Sequence, residues 1–125
     1  MAIRTVWVDL AALLNVRPDG SVALYPDVKA ALDAWQSRGL LVMGVDADTQ
    51  RNAQGLALLA DAFEDVLTQS MPRWRDVSQW QKLLHDRAIA PAQCLFITSS
   101  PLLMTFAQRA GVQTCLLYTS PSPRD

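Results

Sequence analysis

The chain has 125 residues, of which 50% are apolar and 18% are charged; this balance is typical of one globular domain and excludes a disordered chain. The net charge is −1, and eleven basic residues are scattered among twelve acidic ones, which excludes a nucleic-acid surface. No apolar stretch approaches the roughly 20 residues that cross a membrane, so we expect no membrane association.

Strands and helices are predicted to alternate along the first part of the chain. Residues 3–9 are β-branched and aromatic and predict a buried strand that ends in Asp9. A turn signal at residues 17–20 comes next. It is followed by a helix that opens at Pro26 and closes at Gly39, because proline is favoured in a first turn and glycine after a last one.

The alternation continues to the end of the chain. Residues 40–45 form an apolar run that leads into the acids Asp46 and Asp48. Further helices are predicted over 49–62, over 75–89 and from Pro101 to Gly111, and further strands over 63–68, 94–98 and 112–117. This order predicts a three-layer α/β/α sandwich around a mostly parallel, Rossmann-like sheet of about five strands.

Polar residues follow the predicted strands at the edge where such sheets bind ligands. The carboxylates of Asp9, Asp46 and Asp48 suggest a metal site. Asp46 and the run from Thr98 through Ser99 to Ser100 suggest a phosphate site beside the next helix. The alternative for both groups is structural, since Asp and Ser are also the residues that cap helices.

The sequence around the cysteines, the histidine and the tryptophans predicts where these side chains lie. Cys94 and Cys115 form no motif, which is typical of a reducing compartment and predicts a cytoplasmic protein. The single histidine, His85, is expected at the surface. Three tryptophans, at 7, 35 and 80, are expected in the core, whereas Trp74 between two arginines is expected to form a surface contact.

The last eleven residues, from Cys115 to Asp125, match the translation of a transposon-based sequencing adapter. A natural tail rich in serine and proline is the alternative. We therefore expect one domain over residues 1–114, truncated near Thr114, followed by a non-native tail over 115–125.

The element order and several motifs resemble the haloacid-dehalogenase (HAD) superfamily, which consists mostly of Mg²⁺-dependent phosphatases. The family's first motif is Asp-x-Asp-x-Thr/Val after an apolar strand. Here Asp9 falls on the nucleophile, Ala11 on the general acid/base and Leu13 on the Thr/Val position. The strongest match to the scaffold is residues 106–114, which resemble the family's Ala-x-x-Ala-Gly-Val/Ile segment.

The resemblance covers residues 3–114, and the short link between the first two motifs implies a small, capless phosphatase type. The remaining motifs depart from the family pattern. Asp46 stands where the second motif has Ser or Thr, and Met71 stands where the third has Lys. Ser99 and Ser100 stand where the fourth has its acids.

These departures bear directly on the chemistry that the resemblance implies. Phosphoryl transfer through an aspartyl-phosphate needs a carboxylate nucleophile, a proton donor, a cation and donors to the phosphate oxygens. Asp9 supplies the nucleophile, but Ala11 cannot transfer a proton and Ser99 is a weak ligand for Mg²⁺. Arg73 and Lys82 are cations, but neither stands at the position of the family's Lys.

Three interpretations follow. The first is a catalytically degenerate pseudo-phosphatase that serves as a binding or scaffold domain for a small phosphorylated ligand or a protein partner, with no cofactor. The second is an active Mg²⁺-dependent phosphatase that uses Asp9 in a rearranged site. The third is a fragment of a larger protein in which this domain regulates or binds a partner.

Overall fold

The computed structural model describes residues 2–16, 18–19, 22–24, 28–47, 63, 65–68 and 71–117. The strands in it are β1 (Thr5–Asp9), β2 (Leu14–Val16), β3 (Val22–Leu24), β4 (Leu41–Asp46), β5 (Asp65–Thr68), β6 (Cys94–Thr98) and β7 (Gln113–Leu116). The helices are α1 (Val28–Ser37), α2 (Met71–Trp74), α3 (Val77–Asp86) and α4 (Pro101–Arg109), with 3₁₀ turns at Leu10–Ala12 and Pro91–Gln93.

Five strands form one parallel sheet in the order β5-β4-β1-β6-β7. The predicted α/β class and the parallel sheet are thereby confirmed. The predicted helix over 49–62 lies outside the described residues. β7 includes Cys115 and Leu116, which we assigned to a non-native tail; that assignment stays a prediction.

A second, two-stranded sheet was not predicted. β2 and β3 pair antiparallel and lie in the link between β1 and α1. The predicted turn falls between them, with Pro18 and Asp19 in a turn conformation. Strands of three residues are too short to show a period in the sequence, which is why the hairpin was missed.

The central strand β1 packs on both faces because its side chains alternate. Trp7 faces a cluster that contains Trp80 and Phe96, whereas Val6 and Val8 face the cluster on the other side of the sheet. Trp7 stacks on Trp80 at 5.9 Å between ring centroids, and Phe96 meets Trp80 edge-on at 4.8 Å. These aromatic contacts fix α3 against the middle of the sheet.

The surface position expected for Trp74 is wrong, because its side chain is fully buried. Its ring meets Trp80 edge-on at 5.0 Å, and its carbonyl oxygen accepts a 2.7 Å hydrogen bond from Trp80 Nε1. One turn of helix α2 directs the neighbouring Arg73 and Arg75 outward while the indole points inward. The charged neighbours of Trp74 therefore do not indicate whether its side chain faces solvent or the core.

Helix α3 has a capping residue before its first turn and a left-handed residue after its last turn. Asp76 caps it, since one carboxylate oxygen accepts from the amide and the hydroxyl of Ser78 at 2.9 and 2.7 Å, and these bonds lower the pKa of Asp76. At the other end, Ala88 adopts a left-handed φ of 55°. His85 on this helix is exposed, as predicted.

Two further observations concern burial. Cys94 is buried, and burial raises the pKa of its thiol to about 12, so it behaves as the small apolar residue expected from its surroundings. Among the described residues, no helix is both long and apolar enough to span a membrane.

Candidate functional site

The carboxyl ends of the three central strands carry Asp9, Thr98 and Asp46. Asp9 ends β1, Thr98 ends the neighbouring strand β6, and Asp46 ends β4 on the other side. The register pairs Val45 with Asp9, so Asp46 lies one residue further along. The structure therefore gathers these predicted site residues at one edge of the sheet, where parallel sheets bind ligands.

Both oxygens of the Asp9 carboxylate are held in place. Its Oδ2 accepts a 2.7 Å hydrogen bond from Thr98 Oγ1, and its Oδ1 accepts one of 3.2 Å from the amide of Ala11. The second bond forms because Asp9 caps the 3₁₀ turn that follows β1. Asp9 is only 3% exposed, so the protein fixes the direction of this carboxylate rather than leaving it to solvent.

By the resemblance, Ala11 falls on the general acid/base position of the haloacid-dehalogenase superfamily and Leu13 on its Thr/Val position. Ala11 contributes only its amide hydrogen to the site. Leu13 is buried and belongs to the core cluster on the α1 side of the sheet. The structure therefore brings no proton-transferring side chain to the Asp9 carboxylate from this segment.

Asp46 is 1% exposed. In the part of the chain that the structure describes, the buried acids are Asp9 and Asp46 alone. A buried carboxylate is costly unless charges or hydrogen bonds compensate for lost hydration. Asp9 and Asp46 are therefore two buried acids on adjacent strand ends at this edge of the sheet.

The hydroxyl groups of Thr98, Ser99 and Ser100 have different roles. Thr98 Oγ1 donates to Asp9 and accepts from the amide of Ser100 at 3.0 Å. Ser100 caps helix α4, its Oγ accepting from the amide of Leu103 at 3.2 Å. Ser99 is half-buried, and its hydroxyl makes no hydrogen bond to another described residue. The structural alternative, a helix cap, thus describes Ser100, whereas ligand binding by Ser99 stays a prediction.

The predicted metal trio of Asp9, Asp46 and Asp48 stays a prediction, because Asp48 lies outside the described residues. Within the described ranges, no group of three His, Cys, Asp or Glu side chains is placed to hold a metal ion. Met71 begins helix α2, while Arg73 and Lys82 are exposed on α2 and α3.

Sequence reasoning missed the hydrogen bond between Thr98 and Asp9. The apolar runs placed both residues at strand ends, but the bond depends on β6 lying next to β1. The strand order that makes them neighbours could not be read from the sequence.

Known proteins with similar sequences are enolase-phosphatases. The enolase-phosphatase E1 of Yersinia enterocolitica is 34% identical over 100 residues, which are 75% of this chain and 44% of that protein. The enolase-phosphatase E1 of Acidiphilium cryptum is 31% identical over 99 residues, or 74% of this chain and 42% of that protein. The chain thus spans less than half the length of these relatives. No protein-family model matches it.

Solved structures with the same arrangement include HAD family enzymes. A HAD family enzyme from Bacteroides thetaiotaomicron, in complex with magnesium and inorganic phosphate, superimposes with a TM-score of 0.77 at 12% identity, covering 98% of both chains. A HAD-superfamily hydrolase from Geobacter sulfurreducens gives 0.67 at 18% identity, covering 98% of this chain and 92% of that one. The chain therefore has the haloacid-dehalogenase-type hydrolase fold, with Asp9 at the end of its central strand.

Proposed function

We propose that this domain is a phosphohydrolase in which Asp9 attacks phosphate esters whose leaving groups need no protonation. The observation that carries the proposal is the buried Asp9 carboxylate, fixed by two hydrogen bonds at the carboxyl end of the central strand. The similarity to enolase-phosphatases supports a phosphatase over the other hydrolases that share this fold.

The first chemical step forms an aspartyl-phosphate. A carboxylate oxygen of Asp9 bonds to phosphorus, the ester bond breaks, and its electron pair leaves on the departing oxygen. Because Ala11 cannot donate a proton, that oxygen leaves as an anion, which favours aryl and acyl phosphates over alkyl phosphates. Water then hydrolyses the aspartyl-phosphate and releases inorganic phosphate and free Asp9.

The carboxylates at this edge fit Mg²⁺, which prefers oxygen ligands and uses one or two carboxylates with waters. Asp9 and Asp46 would hold the ion, since both are buried acids at adjacent strand ends. When bound, Mg²⁺ supplies the positive charge that offsets the phosphate against Asp9. The Ser99 hydroxyl would donate a hydrogen bond to a phosphate oxygen.

A catalytically degenerate binding domain is the second candidate. It is favoured by Ala11, by Ser99 in place of the family's fourth-motif acid, and by Met71 in place of its Lys. Such a domain would bind a phosphorylated ligand or a protein partner without turning it over.

Hydrolysis of p-nitrophenyl phosphate and glycerol phosphate distinguishes the two candidates. We expect the native chain with Mg²⁺ to hydrolyse the aryl ester, to leave the alkyl ester nearly untouched, and to lose aryl-ester activity when Asp9→Asn is introduced or Mg²⁺ is chelated. No turnover of the aryl ester, combined with saturable phosphate binding by calorimetry, would establish the binding domain instead. Turnover that survives Asp9→Asn would exclude the proposed nucleophile.

A further inference from the structure

A cavity of about 310 Å³ opens at the amino ends of β1 and β4. Thr5 and Leu41 begin these strands, whereas Asp9 and Asp46 end them, so the cavity lies at the opposite edge of the sheet from the candidate active site. Five residues of β1 separate the two edges by about 13 Å at the usual rise of a strand. The residues that bear on its chemistry are Arg4, Thr5, Leu41, Met43, Arg87 and Ile89.

The wall of the cavity is held by two main-chain hydrogen bonds and one side-chain hydrogen bond. The amide of Arg4 donates to the carbonyl of Gln93 at 2.8 Å, and the Arg4 carbonyl accepts from the amide of Leu41 at 3.1 Å. Thr5 Oγ1 donates to the Leu41 carbonyl at 2.8 Å. The strands therefore present a fixed surface, which lowers the entropy that a bound ligand must offset.

The lining combines positive charge with apolar surface. Arg4 and Arg87 contribute two guanidinium groups, and none of the described residues that line the cavity is an acid. Among the residues that the structure describes, neither guanidinium makes a hydrogen bond or an ion pair. Leu41, which is 40% exposed, and Met43 supply apolar contacts beside them. Guanidinium groups bind carboxylates through paired, charge-assisted hydrogen bonds.

A strained residue borders the same cavity. Ala88 has a φ of 55°, a conformation that side-chain-bearing residues rarely adopt, and it also lines the cavity. The amide of Ile89 bonds back to the carbonyl of Leu84 at 2.9 Å and closes helix α3. This turn brings Arg87 and Ile89 to the cavity. Backbone strain of this kind is concentrated at ligand sites.

We propose that this cavity is a binding site for a small apolar carboxylate. Its carboxylate bonds to Arg4 and Arg87, and its hydrocarbon part lies against Leu41, Met43 and Ile89. A volume of this size falls within the range of small-molecule sites, which pair apolar walls with a few polar anchors. The site is independent of the chemistry at Asp9, because the two lie at opposite edges of the sheet.

A titration followed by amide chemical shifts tests the site, with octanoate as the probe. Octanol supplies the hydrocarbon without charge, and acetate supplies the charge without hydrocarbon. We expect octanoate to give saturable shifts at Thr5, Leu41 and Ile89. Octanol and acetate should each bind at least roughly tenfold more weakly than octanoate. Arg4→Gln and Arg87→Gln should each weaken octanoate binding by roughly tenfold. Arg75 is an exposed arginine outside the cavity, so Arg75→Gln should leave the affinity for octanoate unchanged.

Both substituted arginines are exposed, so the variants should keep the native amide spectrum, which the same experiment records. The proposal fails if octanoate gives no saturable shifts at these residues at millimolar concentration. It also fails if octanol binds as tightly as octanoate, or if the double variant Arg4→Gln, Arg87→Gln retains native affinity.

Discussion

Thr98 Oγ1 donates a 2.7 Å hydrogen bond to Asp9 Oδ2, joining two residues 89 positions apart in the chain. The bond exists because β6 lies beside β1 in the parallel sheet. It fixes one carboxylate oxygen, while the amide of Ala11 holds the other. Asp9 is thus a positioned carboxylate. Sequence reasoning placed Thr98 in a phosphate site but did not predict that it positions Asp9.

Thr98→Val should show whether the Thr98 hydroxyl positions Asp9 for catalysis as well as stabilising the fold. The variant keeps the shape of the side chain but leaves Asp9 Oδ2 and the amide of Ser100 without the hydroxyl. We expect it to lower the free energy of unfolding by about 1–3 kcal/mol. We also expect kcat for p-nitrophenyl phosphate to fall by roughly tenfold or more, with little change in KM. Thr98→Ser, which keeps the hydroxyl, should restore kcat; a fall in kcat equal to that of the valine variant would contradict this role.

Ala11→Asp should return the missing proton donor. Ala11 is adjacent to the carboxylate through its amide, and general acid help is worth roughly 10²–10⁴-fold. We therefore expect the variant to gain activity on glycerol phosphate far more than on p-nitrophenyl phosphate, whose leaving group needs no proton. Ala92→Asp, on an exposed 3₁₀ turn, is the matched control. Equal gains on both substrates would argue against a missing acid.

The tryptophans of the core offer a comparison of two buried indole nitrogens. Trp80 Nε1 donates to the carbonyl of Trp74, whereas Trp7 Nε1 is buried and has no hydrogen-bond partner among the described residues. Both rings are fully buried, so replacement by Phe removes similar apolar area. We expect Trp80→Phe to lower the free energy of unfolding by about 1–3 kcal/mol more than Trp7→Phe. Urea denaturation measures both, and an equal loss would contradict the account of this core.

Ala88→Gly should stabilise the chain. Glycine adopts a positive φ without the clash that alanine suffers, and it is the residue that commonly follows a helix. We expect the free energy of unfolding to rise by about 1 kcal/mol. Ala92→Gly, at a residue whose φ is not positive, should give no gain. Denaturation midpoints compare the two, and a loss of stability in Ala88→Gly would show that its conformation is not strained.

The fold was predictable because its strands are apolar runs that end in polar residues. The run into Asp9 and the run into Asp46 gave both strands and both site acids, and the helix after Thr98 began at the expected proline. What could not be read was the strand order, which makes Thr98 a neighbour of Asp9. The burial of Trp74 could not be predicted either, because the adjacent arginines indicated an exposed segment whereas the indole packs into the core.

The motif comparison identified the catalytic side chains that this site lacks, but it did not show which contacts the residues present make. Ala11 removes a proton donor, but only the geometry showed that the same residue holds Asp9 through its amide. The burial of Asp46 likewise depends on β4 lying between β1 and β5. Burial of this kind follows from tertiary packing and is absent from local sequence patterns.

The most direct test of the central claim is to trap phosphate on Asp9. With Ala11 unable to act as a base, breakdown of the aspartyl-phosphate should be slower than its formation, so the intermediate should accumulate. Acid quenching of the native chain with p-nitrophenyl phosphate and Mg²⁺, followed by peptide mass analysis, should find a phosphoryl group on Asp9, with a burst of p-nitrophenol of matching size. Hydrolysis of the ester with no phosphoryl group on Asp9, or with the group on another residue, would contradict the account.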